Sequence, residues 1–209
     1  MIRHLLLLSL AVTSAAQDKV QIDNAWVRVL RVNLAPHEKI ALRQHPATVT
    51  VALKNVHEKM TGADVAIHGV DAWAGHAGFT EAGKYTEENV TDHTLEAVII
   101  ELKPGAPKSP SITLDPVKLD PEHHEVLLEN DRVRVIRTSL FPHVKSPMHE
   151  HPHYVVVYMT ELHTTMKLGD GRVVDNPRHP GDIAWRDALK HQTEQMGDQV
   201  AVEIQVEIK

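Results

Sequence analysis

Residues 201–209, Ala-Val-Glu-Ile-Gln-Val-Glu-Ile-Lys, alternate apolar and polar positions over their whole length. Successive strand side chains point to opposite faces, so this period of two predicts a strand with Val202, Ile204, Val206 and Ile208 on one face and Glu203, Gln205 and Glu207 toward water. A segment ending at Lys103 keeps Val98, Ile100 and Leu102 in the same phase. Runs at 26–34, 47–53, 132–140 and 153–159 read as further strands. Gly169-Asp-Gly171 and Pro180-Gly-Asp182 read as turns. No run of about twelve residues beyond position 16 sustains a 3.6-residue apolar period without Gly or Pro. The pattern is that of an all-β chain with short strands.

At a shift of 106 residues the chain matches itself. Residues 24–54 and 130–160 agree without a gap at 13 of 31 positions: Asn24, Val27, Arg28, Val29, Arg31, Leu34, Pro36, His37, Lys39, His45, Pro46, Val49 and Val51 all recur. Gly75, Glu88, Asp92, Glu101 and Lys103 are answered by Gly181, Glu194, Asp198, Glu207 and Lys209. Chance gives roughly one match in fifteen or twenty, so the chain is a duplication. Residues 17–103 form an N-terminal module and residues 125–209 a C-terminal one. The connection at 104–124 contains Pro104, Pro107, Pro110, Pro116 and Pro121, five of the chain's 12 prolines. Short strands and frequent turns suit a small barrel or jelly roll for each copy.

Residues 1–16 stand outside this scheme. Met1-Ile-Arg-His precedes an apolar run from Leu5 to Val12, and Ser14-Ala15-Ala16 supplies the small residues of a cleavage site. That order is the build of a secretory signal peptide, and the run is too short to span a bilayer. The reading is therefore of an exported protein, periplasmic or secreted, with no membrane association once the leader is removed.

Composition narrows the chemistry. A formal charge of −6 argues against nucleic acid as the partner, because phosphate binding wants a basic face. The absence of cysteine excludes disulfides, thiolate nucleophiles, thiolate-bound zinc and iron–sulfur clusters. Sixteen histidines remain to be explained. Pro147-Met-His-Glu-His-Pro-His-Tyr154 runs directly into Val155-Val-Val-Tyr-Met159. A continuous strand would project His149, His151, His153, Val155 and Val157 to one face. Val155 and Val157 align with Val49 and Val51, so that face is expected to be the barrel interior. Imidazoles converging there are costly unless paired or metal-bound, and neutral imidazole is a good ligand for zinc, iron, copper and nickel. His191 follows the Pro180-Gly-Asp182 turn and precedes the last strand.

A Pro-x-His-x-His at the start of one strand, a later Gly-Asp turn and a single His before the closing strands together resemble the motifs of the cupin superfamily. The resemblance covers the whole chain after position 16, once per copy, and so implies a bicupin: all-β, two tandem double-stranded β-helix (jelly-roll) barrels. It implies that His149, His151 and His191 hold one divalent transition metal (Fe, Mn, Zn, Ni or Cu). The family's glutamate is missing, since Val155 and Val156 occupy its position, and Gln195 stands where an asparagine is usual. The remaining three-histidine set resembles the iron sites of some cupin dioxygenases. In the first copy the aligned residues are Arg43, His45 and Tyr85, and one imidazole beside a guanidinium cannot hold a divalent ion. That module reads as metal-free and structural, or as a pocket in which Arg43 clasps an anion.

Other histidines read differently. His153 is either a fourth ligand or a hydrogen-bonded bystander. His37 and His143 recur in both copies, as do His57 and His163, which suggests turn or interface contacts. His123 and His124 have no partner that spacing identifies. Tyr154, Tyr158 and Trp185 line a pocket or simply pack. The expected function is a metal-dependent dioxygenase acting on a small organic molecule, with no catalytic residue assignable from sequence. The alternatives are a non-catalytic small-molecule-binding or structural bicupin, and a metal-free epimerase-type cupin using His151 or His191 with Asp187. Exposed strand edges leave room for a homodimer.

Overall fold

The computed structural model describes residues 19–62 and 68–209; the residues read as a signal peptide lie outside them. The first copy comprises β1 (Lys19–Asp23), β2 (Val27–Leu34), β3 (Lys39–His45), β4 (Thr48–Ala52), β5 (Val56–Gly62), β6 (His68–Ala72), β7 (Ala77–Thr80), β8 (Gly83–Asn89) and β9 (Leu95–Leu102). A one-turn helix, α1 (Pro116–Leu119), lies in the connection. The second copy repeats the order as β10 (His124–Glu129), β11 (Val133–Leu140), β12 (His149–His151), β13 (Tyr154–Tyr158), β14 (Leu162–Leu168), β15 (Val173–Arg178), β16 (Ile183–Arg186), β17 (Leu189–Gln195) and β18 (Ala201–Ile208). Among the described residues no helix is long and apolar enough to cross a membrane.

Each copy folds as a five-stranded sheet facing a four-stranded one. The orders are β1-β2-β9-β4-β7 over β3-β8-β5-β6, and β10-β11-β18-β13-β16 over β12-β17-β14-β15. All pairings are antiparallel and equivalent between copies: Val27 opposes Leu102 as Val133 opposes Ile208, and Val49 opposes Ile100 as Val155 opposes Val206. The Pro-His turns also repeat. His37 and His143 adopt positive φ (57° and 60°) after Pro36 and Pro142, and each imidazole pairs with a carboxylate, Asp92 or Asp198. Their recurrence is thus explained by turn geometry, in which a histidine tolerates the left-handed region better than a branched residue would.

The two five-stranded sheets pack face to face. Val27, Val29, Val49, Val51, Val98, Ile100 and Leu102 from one meet Val133, Val135, Val155, Val157, Ile204, Val206 and Ile208 from the other in a single core cluster. Edge strand β1 lies against β16, and β10 against β7. Two reciprocal clasps span the joint: Arg31 donates to the Gly181 carbonyl at 3.1 Å, and Arg137 to the Gly75 carbonyl at 3.3 Å. Both glycines have positive φ, 84° and 82°. Each barrel has its own smaller interior cluster, built around Leu34, Ala52, Val56, Leu95 and Ala97 in the first and Leu140, Tyr154, Val156, Tyr158 and Leu162 in the second.

This arrangement corrects two expectations. The Val155/Val157 face is the joint between modules, not the barrel interior. Strand β18 keeps its predicted alternation, yet its polar side is also covered: Gln205 and Glu207 are 3% and 2% exposed, inside the second barrel. Both faces of β18 are buried because a barrel closes over one and a sister sheet over the other, so a polar side does not imply solvent.

Candidate metal centre

Strand β12 is three residues long and pairs with β17, placing His149 directly opposite His191. His151, two residues on, shares the inward face. The entry to β12 is fixed by Ser146, whose Oγ accepts from Thr193 N at 2.9 Å while its own N–H donates to the Thr193 carbonyl at 2.8 Å. Glu150, on the opposite face, accepts from Thr113 N and Oγ1 and from Leu114 N, tying the connection to the strand. Pro152 and His153 then interrupt the ladder, and the inward phase passes from odd to even residues: Tyr154, Val156 and Tyr158 continue the interior.

The three imidazoles converge. Ring centroids lie 4.5 Å apart for His149 and His191, 4.9 Å for His149 and His151, and 5.3 Å for His151 and His191. One ligand atom from each lies within 4.8 Å of the others, and among the described residues this is the one group of three or more His, Asp or Glu so arranged. The rings are 2%, 1% and 4% exposed. Burial pushes all three below the usual histidine range, His151 and His191 well below it, and neighbouring imidazoles add to the effect. They are therefore neutral near pH 7 and carry lone pairs.

Hydrogen bonds assign the tautomers. His151 Nδ1–H donates to Glu207 Oε1 at 2.7 Å, and His149 Nδ1–H donates to the Pro147 carbonyl at 2.8 Å. In both rings this leaves Nε2 as the lone-pair nitrogen. His151 Nε2 and both nitrogens of His191 are buried without a hydrogen-bond partner among the described residues. Orphaned imidazole nitrogens facing one another are what a divalent ion would satisfy, and the donor set fits one. Glu207 is itself anchored. Arg134 Nε donates to its Oε2 at 2.6 Å, and Arg134 Nη1 donates to both oxygens of Asp115 at 3.1 and 3.0 Å. Burial raises the Glu207 carboxyl, opposed by the Arg134 guanidinium. Asp115 also caps α1 by accepting from Val117 N.

Several residues lie elsewhere than expected. His153 leaves the histidine cluster for the module joint, where its ring lies 4.4 Å from that of Trp26 and 5.7 Å from Trp185. Asp187 accompanies it, accepting from Trp185 Nε1 at 3.0 Å, and so is no partner for His151 or His191. Trp185 packs at the joint rather than lining the site. Tyr154 does flank the site, its ring 4.7 Å from His151. Two residues escaped sequence reasoning. Glu207 reads as solvent-facing from alternation alone, although a carboxylate reaching a ligand histidine is a recurrent device. His124, for which spacing identifies no partner, is buried in β10 with its ring 5.4 Å from His149 and its Nδ1 on the Asp120 carbonyl at 2.9 Å.

In the first barrel Arg43 opposes Tyr85 in β3 and β8, just as His149 opposes His191. His45 stacks on Tyr85 with centroids 3.8 Å apart, and Arg43 lies 3.9 Å from Glu87.

No protein-family model and no curated protein sequence matches the chain. Solved structures do match its fold. AerE from Microcystis aeruginosa superposes with a TM-score of 0.66 at 11% identity, covering 88% of each chain. A cupin 2 conserved barrel domain protein from Leptotrichia buccalis gives 0.60 at 12%, covering 94% of this chain and 90% of its own. Oxalate decarboxylase from Bacillus subtilis gives 0.59 at 12%, covering 87% and 68%. With its five-over-four sheets and its histidines on β12 and β17, the chain has the cupin fold, in two tandem jelly-roll barrels.

Proposed function

We propose that the C-terminal barrel is a mononuclear metal centre in which His149, His151 and His191 hold one divalent transition metal, and that the protein is an exported metalloenzyme of the dioxygenase type acting on a small organic molecule. The observation that carries this reading is the convergence of three neutral, buried imidazoles, with nitrogens of His151 and His191 lacking any hydrogen-bond partner among the described residues. Support also comes from the solved neighbour whose Mn(II) centres are described, Bacillus subtilis oxalate decarboxylase. A bound ion supplies Lewis acidity and, with iron, manganese or copper, redox chemistry.

The chain's own residues set the stage for that ion. Glu207 holds His151 in the tautomer that presents Nε2, and Arg134 aims Glu207 and opposes the burial that raises its carboxyl. Pro147 does the same for His149 through a backbone carbonyl. Three protein ligands leave coordination positions for a substrate, the arrangement of catalytic sites rather than closed structural ones. The near-complete burial of the rings favours a second reading, a metal-binding barrel without turnover.

Elemental analysis of residues 17–209, exported and purified without a histidine tag, tests the centre beside a His149→Ala/His191→Ala variant. About one equivalent of metal in the parent and none in the variant is the expected result for a single site. No metal in either, even after incubation with excess divalent ions, overturns it. Substrate-dependent oxygen uptake by the iron- or manganese-loaded protein separates turnover from simple binding.

A further inference from the structure

The two barrels share a strand order and differ in what fills them. In the second barrel β13 sends Tyr154, Val156 and Tyr158 inward, and Arg186 of β16 reaches the Tyr158 hydroxyl at 3.3 Å. One repeat earlier, the matching residues are Thr48, Thr50, Ala52 and Thr80. Two phenol rings and a guanidinium have been exchanged for three small side chains, and nothing refills the space. The first barrel contains a cavity of about 170 Å³ walled by Leu30, Ala52, Val56 and Leu95, with Thr48 and Thr80 on its polar side. A void of roughly 150 Å³ lined by apolar side chains is enough to admit benzene.

The polar end of the cavity is acidic. Glu58 on β5 opposes Asn89 of β8, so Glu87, two residues along, is its diagonal neighbour on the same inward face. The second barrel has Thr164 and Thr193 at these positions, neutral residues in place of the carboxylate pair. Arg43 approaches Glu87 from β3 at 3.9 Å, and the stacked His45–Tyr85 pair forms the adjoining aromatic wall. Glu101, which also lines the cavity, is matched by Arg28 at 3.8 Å. Burial, with Glu87 beside it, pushes the Glu58 carboxyl up to about 7. An acid in that position ionises readily when a cation arrives.

We propose that the N-terminal barrel is a second binding site, for a small organic amine: its ammonium group against Glu58 and Glu87, and its apolar or aromatic body in the space that Tyr154, Tyr158 and Arg186 fill in the sister barrel. The site shares no residue with the histidine centre and does not rest on the metal reading.

Benzylamine is the probe, titrated calorimetrically into the full chain with toluene and benzyl alcohol alongside. Expected is saturable one-to-one binding of benzylamine with a Kd of about 1 mM or tighter. Glu58→Gln weakens it about tenfold or more, since a charge-assisted contact is lost. Ala52→Tyr, which supplies the ring of Tyr158, abolishes it, and Ala52→Leu weakens it. His149→Ala/His191→Ala leaves it unchanged. Thermal melts confirm that each variant folds, and the near-isosteric Glu58→Gln carries the test if Ala52→Tyr does not. No saturable binding overturns the proposal. So does binding that survives Ala52→Tyr in a folded protein, or toluene binding as well as benzylamine with Glu58→Gln without effect.

Discussion

Residues 104–209, produced alone, should not persist as a folded monomer. Separation from the first module uncovers Val133, Val135, Val155, Val157, Ile204, Val206 and Ile208, each at most 5% exposed in the intact chain. Exposing a buried aliphatic side chain forfeits roughly 1.5–3 kcal/mol. Seven of them amount to on the order of 10–20 kcal/mol, as much as the roughly 5–15 kcal/mol by which a typical domain is stable. The fragment is expected to unfold or to pair with itself through the same face. A second copy would offer Arg137 the Gly181 carbonyl that Arg31 occupies in the intact chain. Light scattering during size-exclusion chromatography reads the state, and a dichroism melt reads the stability. A monomer that melts with the full chain would refute the reasoning, because it would show that the shared core contributes little to either half.

Three further outcomes follow from particular contacts. Glu207→Gln removes the carboxylate that holds His151, so metal affinity should fall by about 10–100-fold, measured by competition with a chelator; an unchanged Kd would deny Glu207 that role. The depressed His151 and His191 are protonated more easily in the unfolded chain, so their contribution in the metal-free protein is full above about pH 6.5 and is lost below it at up to about 1.4 kcal/mol per pH unit for each histidine. Glu58 acts in the opposite sense as pH falls through about 7, so the comparison is urea unfolding at pH 7.5 and 5.5 against His191→Phe, whose pH dependence should be shallower. Gly181→Ala should destabilise by about 1–3 kcal/mol through its positive φ, and by more than Gly171→Ala. A Cβ at 181 comes within 3.0 Å of the Arg31 guanidinium, whereas one at 171 meets nothing within 4 Å; equal losses would show that the clasp adjusts freely.

The alternation in β18, the turns and the 106-residue repeat were enough to read an all-β pair of barrels and to align their strands. Period two tells which residues share a face but not what lies against that face. Sequence alone therefore places Val155 and Val157 in the barrel and Glu207 in water, whereas the valines build the joint and Glu207 meets His151. Alternation puts His149 and His151 on one strand face, and His191 joins them through the resemblance of the Pro-x-His-x-His, Gly-Asp turn and later histidine to cupin motifs. His153 misled, since Pro152 breaks the ladder and turns the next residue toward Trp26. Partners such as His124 and Glu207 come from strands distant in sequence, where no local spacing could announce them.

The face-to-face sheets also explain how one duplicated gene could yield two unlike halves. On the joint side, Val27, Val29, Val49 and Val51 reappear unchanged as Val133, Val135, Val155 and Val157, and the remaining three positions stay aliphatic. On the reverse side of the same strands, Thr48, Ala52, Ala97 and Ile99 have become Tyr154, Tyr158, Glu203 and Gln205. Adjacent residues answer to different constraints, because each strand turns one face to its twin and the other to its own interior. Such a scaffold is modular at the scale of a single peptide bond. Libraries randomised only at inward positions of the first barrel could search for new ligands while assembly is left to the neighbours on either side.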